Sequence, residues 1–186
     1  MKKVVKFGGS SLANAEQFQK VGDIIRSDES RRYVVPSAPG KRFSADTKVT
    51  DLLYTCYGKA EAGEDFTDVL TEIKGRFYEI IKGLNLDLSL EEEFRQIEAD
   101  FKAHAGNEYA ASRGEFLNGK VMAAYLGYEF IDSATVIRFD KNGNFDADKT
   151  DKLLSKRLQK CERAVVPGFY GGMEDGTVKT FSRGGS

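Results

Sequence analysis

The sequence predicts an α/β protein that opens with a parallel βαβ unit, and three observations support this class. A strand over residues 3–7 (KVVKF) ends at a glycine pair, an amphipathic helix follows, and a second strand covers residues 32–35 (RYVV). Two strands joined through one helix by short connections favour a right-handed parallel crossover. From residue 50 to 126 the apolar residues recur at helical spacing, so the middle of the chain is predicted to be helical.

The first helix is predicted from its cap and its apolar face. Asn14 with Gln17 forms a capping-box pattern. Four apolar residues then fall on one face: Phe18, Val21, Ile24 and Ile25. Further helices are expected to start at Thr50, to cover 69–81, to follow a Ser89 cap, and to occupy 107–126 and 148–160.

Strand patterns return in the last third of the chain. They cover 128–132 (YEFID), 135–139 (TVIRF) and part of 162–169, and a turn between two short strands is expected within 171–181. The polar segment 36–48 is too long for a simple connector, which favours a functional loop. The chain ends on FSRGGS, inside what should be a turn, and this ending indicates a truncated chain.

Composition excludes several classes of function. The 186 residues include 28 Lys and Arg and 29 Asp and Glu, so no net field attracts nucleic acid or a membrane surface. Cys56 and Cys161 are far apart and accompany one histidine, which argues against a metal site and a disulfide scaffold. With no apolar run of about 20 residues and no signal sequence, one cytoplasmic domain over 1–186 is expected.

The first candidate site is the stretch from Lys6 to Ser10. Gly8 and Gly9 allow backbone conformations that other residues avoid, so successive N–H groups could surround an anion beside the Lys6 charge. The spacing matches neither the Walker loop nor the dinucleotide fingerprint. A plain tight turn into the helix is an equally good interpretation.

The second candidate is the loop after the second strand. Ligands of open α/β sheets bind beyond the carboxyl ends of the strands, where Ser37, Thr47 and Thr50 could present hydroxyls to a carboxylate or phosphate. The alternative is that Thr50 only caps the helix it begins, and the sequence alone favours this alternative.

The third and fourth candidates contain charged residues beside glycines. Gly114 in a helix suggests close approach of another segment, and a partly buried Glu115 could hold an ammonium group, although a solvated charged face is the favoured alternative. Arg183, between Ser182 and two glycines, could bind a carboxylate or phosphate through its planar fork. A flexible tail would not explain why a strand leads directly into it. His104 is expected to be structural.

Taken together, the ordered stretches KFGGSSL, VVPSAPG with TKVTDLL, SRGEFLNGK, FIDS, and VVPGFYGG with TFSRGGS resemble the aspartokinases of the amino-acid kinase superfamily. The resemblance covers essentially the whole chain. It implies a three-layer α/β/α sandwich with a mostly parallel sheet. Residues 1–186 would form the N-terminal, aspartate-binding lobe of the catalytic domain, without the nucleotide lobe and the ACT regulatory domains.

The resemblance also implies a reaction. The γ-phosphoryl group of ATP, bound with Mg²⁺, would pass to the side-chain carboxylate of L-aspartate, giving 4-phospho-L-aspartate for lysine, threonine and methionine biosynthesis. A carboxylate is already an anionic nucleophile, so the absence of a histidine base fits this chemistry. The complete enzyme would be a homo-oligomer, and this chain alone would be inactive.

By motif, Lys6 would be catalytic and would bind the transferring phosphate with Gly8, Gly9 and Ser10. The residues that would bind aspartate are Ser37 and Thr50 at its side-chain carboxylate, Glu115 at its ammonium and Arg183 at its α-carboxylate. Ser182, Asn118 and Pro36 depart from the family pattern. Two alternatives stay open: a kinase acting on glutamate, N-acetylglutamate or a nucleotide, which TKVTDLL and RGE disfavour, and a non-catalytic binding module for an anionic amino acid.

Overall fold

The computed structural model describes residues 1–182, and residues 183–186 lie outside it. A parallel sheet carries the strand ends at which the candidate residues lie. Its strands are β1 (Lys3–Phe7), β2 (Arg31–Pro36), β3 (Glu129–Phe130) and β4 (Ala164–Val165), in the order β1-β2-β4-β3. Lys6 pairs with Val35 and Phe7 with Pro36, so β1 and β2 end side by side. This arrangement confirms the predicted parallel βαβ opening.

Seven helices are found within residues 1–182: α1 (Ala15–Arg26), α2 (Val49–Glu61), α3 (Thr67–Gly83), α4 (Glu91–Lys102), α5 (Asn107–Leu126), α6 (Ser133–Val136) and α7 (Ala147–Leu158). A 3-10 turn (Gly9–Leu12) joins β1 to α1, and an antiparallel hairpin of β5 (Tyr170–Gly172) and β6 (Val178–Thr180) follows the sheet. None of these helices is long and apolar enough to cross a bilayer.

The sheet is covered by helices on both faces, which confirms the three-layer α/β/α architecture. On one face Val34 and Val165 are fully buried in a cluster that includes Phe18 of α1 and Leu117 of α5. On the other face Tyr33 and Val166 pack with residues of α6 and α7, among them Val136, Leu154 and Leu158. Burial of apolar surface on two faces, at roughly 25 cal/mol per Å², is what makes the short strands stable.

Helix α5 lies at the centre of the helical block and is buried on most of its sides. Small residues make this possible, because they let neighbouring segments approach its backbone. A Cβ built on Gly114 would lie 2.7 Å from Ala38 Cβ and 3.3 Å from Leu53 Cδ1. The predicted close approach at Gly114 is therefore confirmed, and the approaching segment is the loop that follows β2.

The helix caps agree with the sequence in part. The Asn14 side chain accepts a hydrogen bond from the backbone N–H of Gln17 at 3.0 Å, as predicted. Ile24, in contrast, is 48% exposed, so its placement on the apolar face of α1 was wrong. At α4 the cap is Leu90, one residue beyond the predicted Ser89, whose hydroxyl still accepts from the N–H of Glu91 at 3.3 Å.

The predicted strand over residues 135–139 was wrong. The Asp132 carboxylate accepts a hydrogen bond from the N–H of Ala134 at 3.0 Å and starts the short helix α6, which includes Thr135 and Val136. The rest of the predicted strand makes two isolated β-bridges, from Arg138 to Gly172 and from Phe139 to Phe145. A local cap therefore outweighs the strand preference of β-branched residues here.

We expect Gly114→Ala to destabilise the protein by about 1–3 kcal/mol, because the added methyl group overlaps Ala38 and this strain exceeds the gain in helix propensity. The matched control is Gly75→Ala in α3, where a Cβ would meet no atom within 4 Å. That substitution should stabilise the protein by about 0.5–1 kcal/mol.

Urea unfolding of both variants measures the difference. Equal stabilisation by the two substitutions would contradict the close approach of α5 to the loop after β2.

Candidate functional site

The turns that follow β1 and β2 pack directly against each other. The N–H of Ser37 donates to the carbonyl of Phe7 at 3.0 Å, and the N–H of Gly40 donates to the carbonyl of Gly9 at 2.9 Å. A Cβ on Gly9 would lie 2.8 Å from the Ala38 carbonyl oxygen, and one on Gly40 would lie 2.6 Å from the Gly9 carbonyl carbon. Glycine is thus required at both positions by the closeness of two backbones.

This finding corrects the reason given for the glycine pair. Gly8 has φ −78° and ψ 167°, an ordinary extended conformation, and a Cβ there would meet no atom within 4 Å. Gly9 does not have a positive φ either. The proposal that both glycines adopt conformations that other residues avoid was therefore wrong, and only Gly9 is required, for close approach.

One cleft collects five of the residues proposed from the sequence. Its volume is 310 Å³, and Gly9, Ser10, Ser37, Thr50 and Glu115 line it together with Ala38, Pro39, Gly40, Lys41 and Lys48. Lys6 and Gly8 do not belong to this lining, although the Lys6 charge acts on Glu115. Arg183 lies outside the described residues. The carboxyl ends of parallel strands thus bring these segments together, as expected for an open α/β sheet.

A second cavity of 350 Å³ continues the first. Lys48, Thr50 and Glu115 line both, and the second is completed by Asp51, Tyr54, Phe169, Thr180 and Phe181. Lys41 and Lys48 were not singled out by the sequence analysis. The one feature of the sequence that could have indicated them is their position in the long loop of residues 36–48.

Thr50 lies in the first turn of α2 and does not cap it. The N-cap residue is Lys48, whose side chain makes no capping hydrogen bond. The interpretation of Thr50 as a simple helix cap was therefore wrong, and its side chain is half-buried in the cleft.

Glu115 is a buried carboxylate at the base of the cleft. It is only 6% exposed, so the alternative of a solvated charged face was wrong. Burial raises the pKa of its carboxyl to about 7, while a hydrogen bond from the Ala38 N–H and the charges of Arg113 and Lys6 act in the opposite direction. Its Oε2 atom has no hydrogen-bond partner among residues 1–182. A buried carboxylate with one open oxygen is suited to bind a cation.

Asn118 positions the end of β2. It is fully buried, one turn after Glu115, and its Nδ2 donates to the carbonyl of Ser37 at 2.7 Å. Pro36 is the last residue of β2 and keeps its register with Phe7. Ser37 therefore lies at the strand end despite the departure from the family pattern at Pro36. The side-chain amide of Asn118, itself a departure from that pattern, holds it there.

Arg113 is a buried cation near Glu115 that the sequence analysis did not assign. Its guanidinium carbon lies 4.4, 4.5 and 5.5 Å from the ring centroids of Tyr109, Phe116 and Tyr170. Its Nε and Nη2 donate to the Ser112 hydroxyl at 3.1 and 2.9 Å. Aromatic faces stabilise such a cation where water is excluded. Tyr109 and Phe116 lie at helical spacing on either side of Arg113, and this pattern could have predicted its aromatic surroundings from the sequence.

The hairpin before Arg183 is attached to α5. Glu108 accepts hydrogen bonds from Lys179 Nζ at 2.8 Å and from the N–H of Thr180 at 3.3 Å. Phe169 has φ +75°, and its carbonyl accepts from the N–H of Phe181 at 2.8 Å. A bulky residue in the left-handed region is strained, and such strain is concentrated at functional sites.

The described cleft combines backbone amides, hydroxyls, lysines and one buried carboxylate. Within residues 1–182 no group of three or more His, Cys, Asp and Glu side chains is arranged to hold a metal ion. This set of groups can bind a small molecule that carries both a cationic and an anionic group.

Comparison with known proteins places this chain in a family. The model of the amino acid kinase family matches residues 1–186. Aspartokinase 3 of Bacillus subtilis is 37% identical over 99% of this chain, and chloroplastic aspartokinase 1 of Arabidopsis thaliana is 30% identical over 98%. The chain spans 44% of the first of these relatives and 36% of the second.

Two solved structures of aspartate kinases also match this chain. The structure of Clostridium acetobutylicum aspartate kinase matches with a TM-score of 0.96 at 50% identity, over 100% of this chain and 43% of that one. Aspartokinase III of Escherichia coli, in complex with aspartate and ADP, matches with a TM-score of 0.82 at 25% identity, over 100% of this chain and 44% of that one. On the family match over its whole length, the chain belongs to the amino acid kinase family.

Proposed function

We propose that the protein is an aspartate kinase, which transfers the γ-phosphoryl group of ATP to the side-chain carboxylate of L-aspartate and forms 4-phospho-L-aspartate. This step would serve lysine, threonine and methionine biosynthesis. The observation that carries the proposal is Glu115, a buried carboxylate with an open oxygen, in one cleft with the hydroxyl residues Ser37 and Thr50. The names of the relatives and the aspartate in the Escherichia coli complex support it.

In this proposal the cleft binds aspartate by its three charged groups. Glu115 pairs with the ammonium, which satisfies the carboxylate oxygen that lacks a partner among residues 1–182. Ser37 and Thr50 orient the side-chain carboxylate by donating hydrogen bonds. Arg183 binds the α-carboxylate, because a guanidinium matches a carboxylate with two parallel hydrogen bonds.

Phosphoryl transfer needs charge stabilisation more than proton transfer. The attacking carboxylate is already ionised, so the chain's main task is to align two anions and to stabilise the charge on the transferring group. Lys6, at the end of β1, supplies a positive charge there, and Gly8, Gly9 and Ser10 supply backbone N–H groups. Mg-ATP supplies the phosphoryl group, and the cationic glycine turn fits an anion of this kind.

We place residues 1–186 in the N-terminal, aspartate-binding lobe of the catalytic domain. The chain spans 44% of the Bacillus subtilis relative and 43% of the Clostridium acetobutylicum structure, which supports its being part of a longer enzyme. The nucleotide lobe, the ACT regulatory domains and a homo-oligomeric assembly would then belong to the complete enzyme, and residues 1–186 alone would be inactive. Cys56 and Cys161 are free thiols, which supports a reducing compartment such as the cytoplasm.

The protein encoded by the complete gene should form aspartyl hydroxamate when ATP, Mg²⁺, L-aspartate and hydroxylamine are present. Glutamate and N-acetylglutamate should react at least about tenfold more slowly, since an extra methylene or a blocked amine fits the cleft poorly. Faster reaction with either one would make the substrate assignment wrong. Binding of aspartate without phosphorylation of any acceptor would instead support a non-catalytic binding module.

We expect Lys6→Ala to lower kcat by about 10²–10³-fold, since it removes a charge that stabilises the transferring phosphoryl group. The control is Lys3→Ala at the other end of β1, where Lys3 pairs with Asp28 at 2.7 Å. Steady-state kinetics should show little change for the control. Near-normal turnover of Lys6→Ala would remove Lys6 from the mechanism.

Glu115→Gln should have opposite effects on binding and stability. The folded-state pKa lies near 7, above the unfolded value of 4.5, so ionisation of Glu115 destabilises the fold progressively as pH rises between these values. The substitution should therefore leave stability unchanged at pH 4 and raise it at pH 8. Aspartate binding at pH 8 should weaken by about tenfold or more, because a charge-assisted hydrogen bond is lost.

Urea unfolding and calorimetric titration with aspartate measure the two effects. Glu61→Gln on the exposed surface of α2 is the control and should change neither quantity. Loss of stability at pH 8 in Glu115→Gln would contradict the burial of an ionised carboxylate.

A further inference from the structure

The loop between β2 and α2, residues 37–48, supplies most of the wall of the cleft. Ser37, Gly40, Lys41 and Lys48 all line it, yet the loop contains no helix or strand. A surface loop of this length moves unless other groups hold it. Its conformation must therefore depend on contacts with the rest of the molecule.

A single arginine from a distant helix contacts both ends of this loop. Arg76 lies on α3 and is 2% exposed. Its Nη2 donates to the carbonyl of Gly40 at 2.7 Å, and its Nη1 donates to the carbonyl of Thr47 at 2.9 Å. The planar guanidinium holds several donors in a fixed geometry, which a lysine ammonium cannot reproduce.

The buried charge of Arg76 is balanced within the loop. Asp46, 7% exposed, lies 3.1 Å from Arg76 Nη1. The same carboxylate accepts hydrogen bonds from the backbone N–H, Nε and Nη2 of Arg42 at 2.8, 3.0 and 3.0 Å. These bonds, above all those from the Arg42 side chain, hold the pKa of Asp46 well below its usual range. Glu79 on α3 pairs with Arg42 at 2.9 Å from the solvent side.

Gly40 transmits this restraint to the turn after β1. Its carbonyl accepts from Arg76 while its N–H donates to the carbonyl of Gly9 at 2.9 Å. Gly40 is thus the single residue that links Arg76 to the glycine turn. Displacement of the loop would move Ser37 and Lys48 in one wall of the cleft and release Gly9 in the other.

We propose that Arg76 is a positioning residue, which holds the loop of residues 37–48 against the Gly9 turn so that the cleft is formed before its ligand arrives. Arg76 lines neither cavity of the site, and its effect passes through Gly40, Asp46 and Thr47. The identity of the ligand rests on the proposed function, whereas the restraint on the loop does not.

The central test is Arg76→Lys in the protein encoded by the complete gene. A lysine keeps the charge but cannot bond Gly40 and Thr47 together in the fork geometry. We expect KM for aspartate to rise about tenfold, with kcat within about threefold of its original value, because the competent loop conformation becomes a minor population. Amide hydrogen exchange in residues 40–47 should become faster.

A purely structural role predicts a different result, and a matched control separates the two. Lys120→Met removes the half-buried ion pair between Lys120 of α5 and Glu93 of α4, two residues that line neither cavity of the site. The control should lower the unfolding temperature without changing KM or loop exchange. If Arg76→Lys behaves like this control, the proposal is overturned.

Two further variants keep the proposal testable if a substitution at Arg76 prevents folding. Arg76→Ala should show a larger rise in KM than Arg76→Lys, and if it does not fold, Asp46→Asn takes its place and should also raise KM and accelerate exchange in residues 40–47. Unchanged KM and exchange in Asp46→Asn would count against the proposal. Amide exchange is measured without turnover, so it tests the loop restraint whichever acceptor the protein phosphorylates. Phosphorylation of another acceptor by the unsubstituted protein would contradict only the proposed function.

Discussion

The backbone contact between Gly9 and Gly40 is the constraint on which the rest of the site depends. β1 and β2 end in register, so the turns that follow them must share the same edge of the sheet. Neither turn has room for a Cβ at the point of contact. Because of this closeness, Ser10 and Ser37, 27 positions apart in sequence, line one cleft. A side chain at either glycine would separate the two walls.

A second close approach, between helix α5 and the loop after β2, places the buried carboxylate of Glu115. Gly114 lets the helix contact Ala38, and Glu115 is the next residue, so the carboxylate is brought under the loop by the approach that the glycine permits. Asn118, one turn later, bonds to Ser37 from the same helix. Burial of Glu115 destabilises its ionised form, and a bound ammonium would reverse this effect. Under the proposed function, the stability lost by burying Glu115 would be recovered as affinity for the ligand, a relation common at functional sites.

The sequence predicted the fold well where a pattern is local. The bounds of β1 and α5 were predicted correctly, and the Asn14 cap was confirmed, because a glycine pair at a strand end, helical periodicity and capping involve residues a few positions apart. The prediction failed over residues 135–139, where one Asp132 cap decides the conformation, and at Ile24, whose apolar side chain is 48% exposed. Exposure of a single residue depends on what packs against it, and periodicity cannot show that.

For the site, the sequence by itself determined five candidate residues that the cleft brings together, Gly9, Ser10, Ser37, Thr50 and Glu115. Ordered motifs indicated the family, and strand ends indicated where ligands bind. Tertiary structure alone decided that Glu115 is buried, that Thr50 does not cap its helix, and that Arg76 reaches Gly40 across 36 positions. Burial, pKa and long-range hydrogen bonds arise from segments that meet only after folding, so no local pattern of residues could specify them.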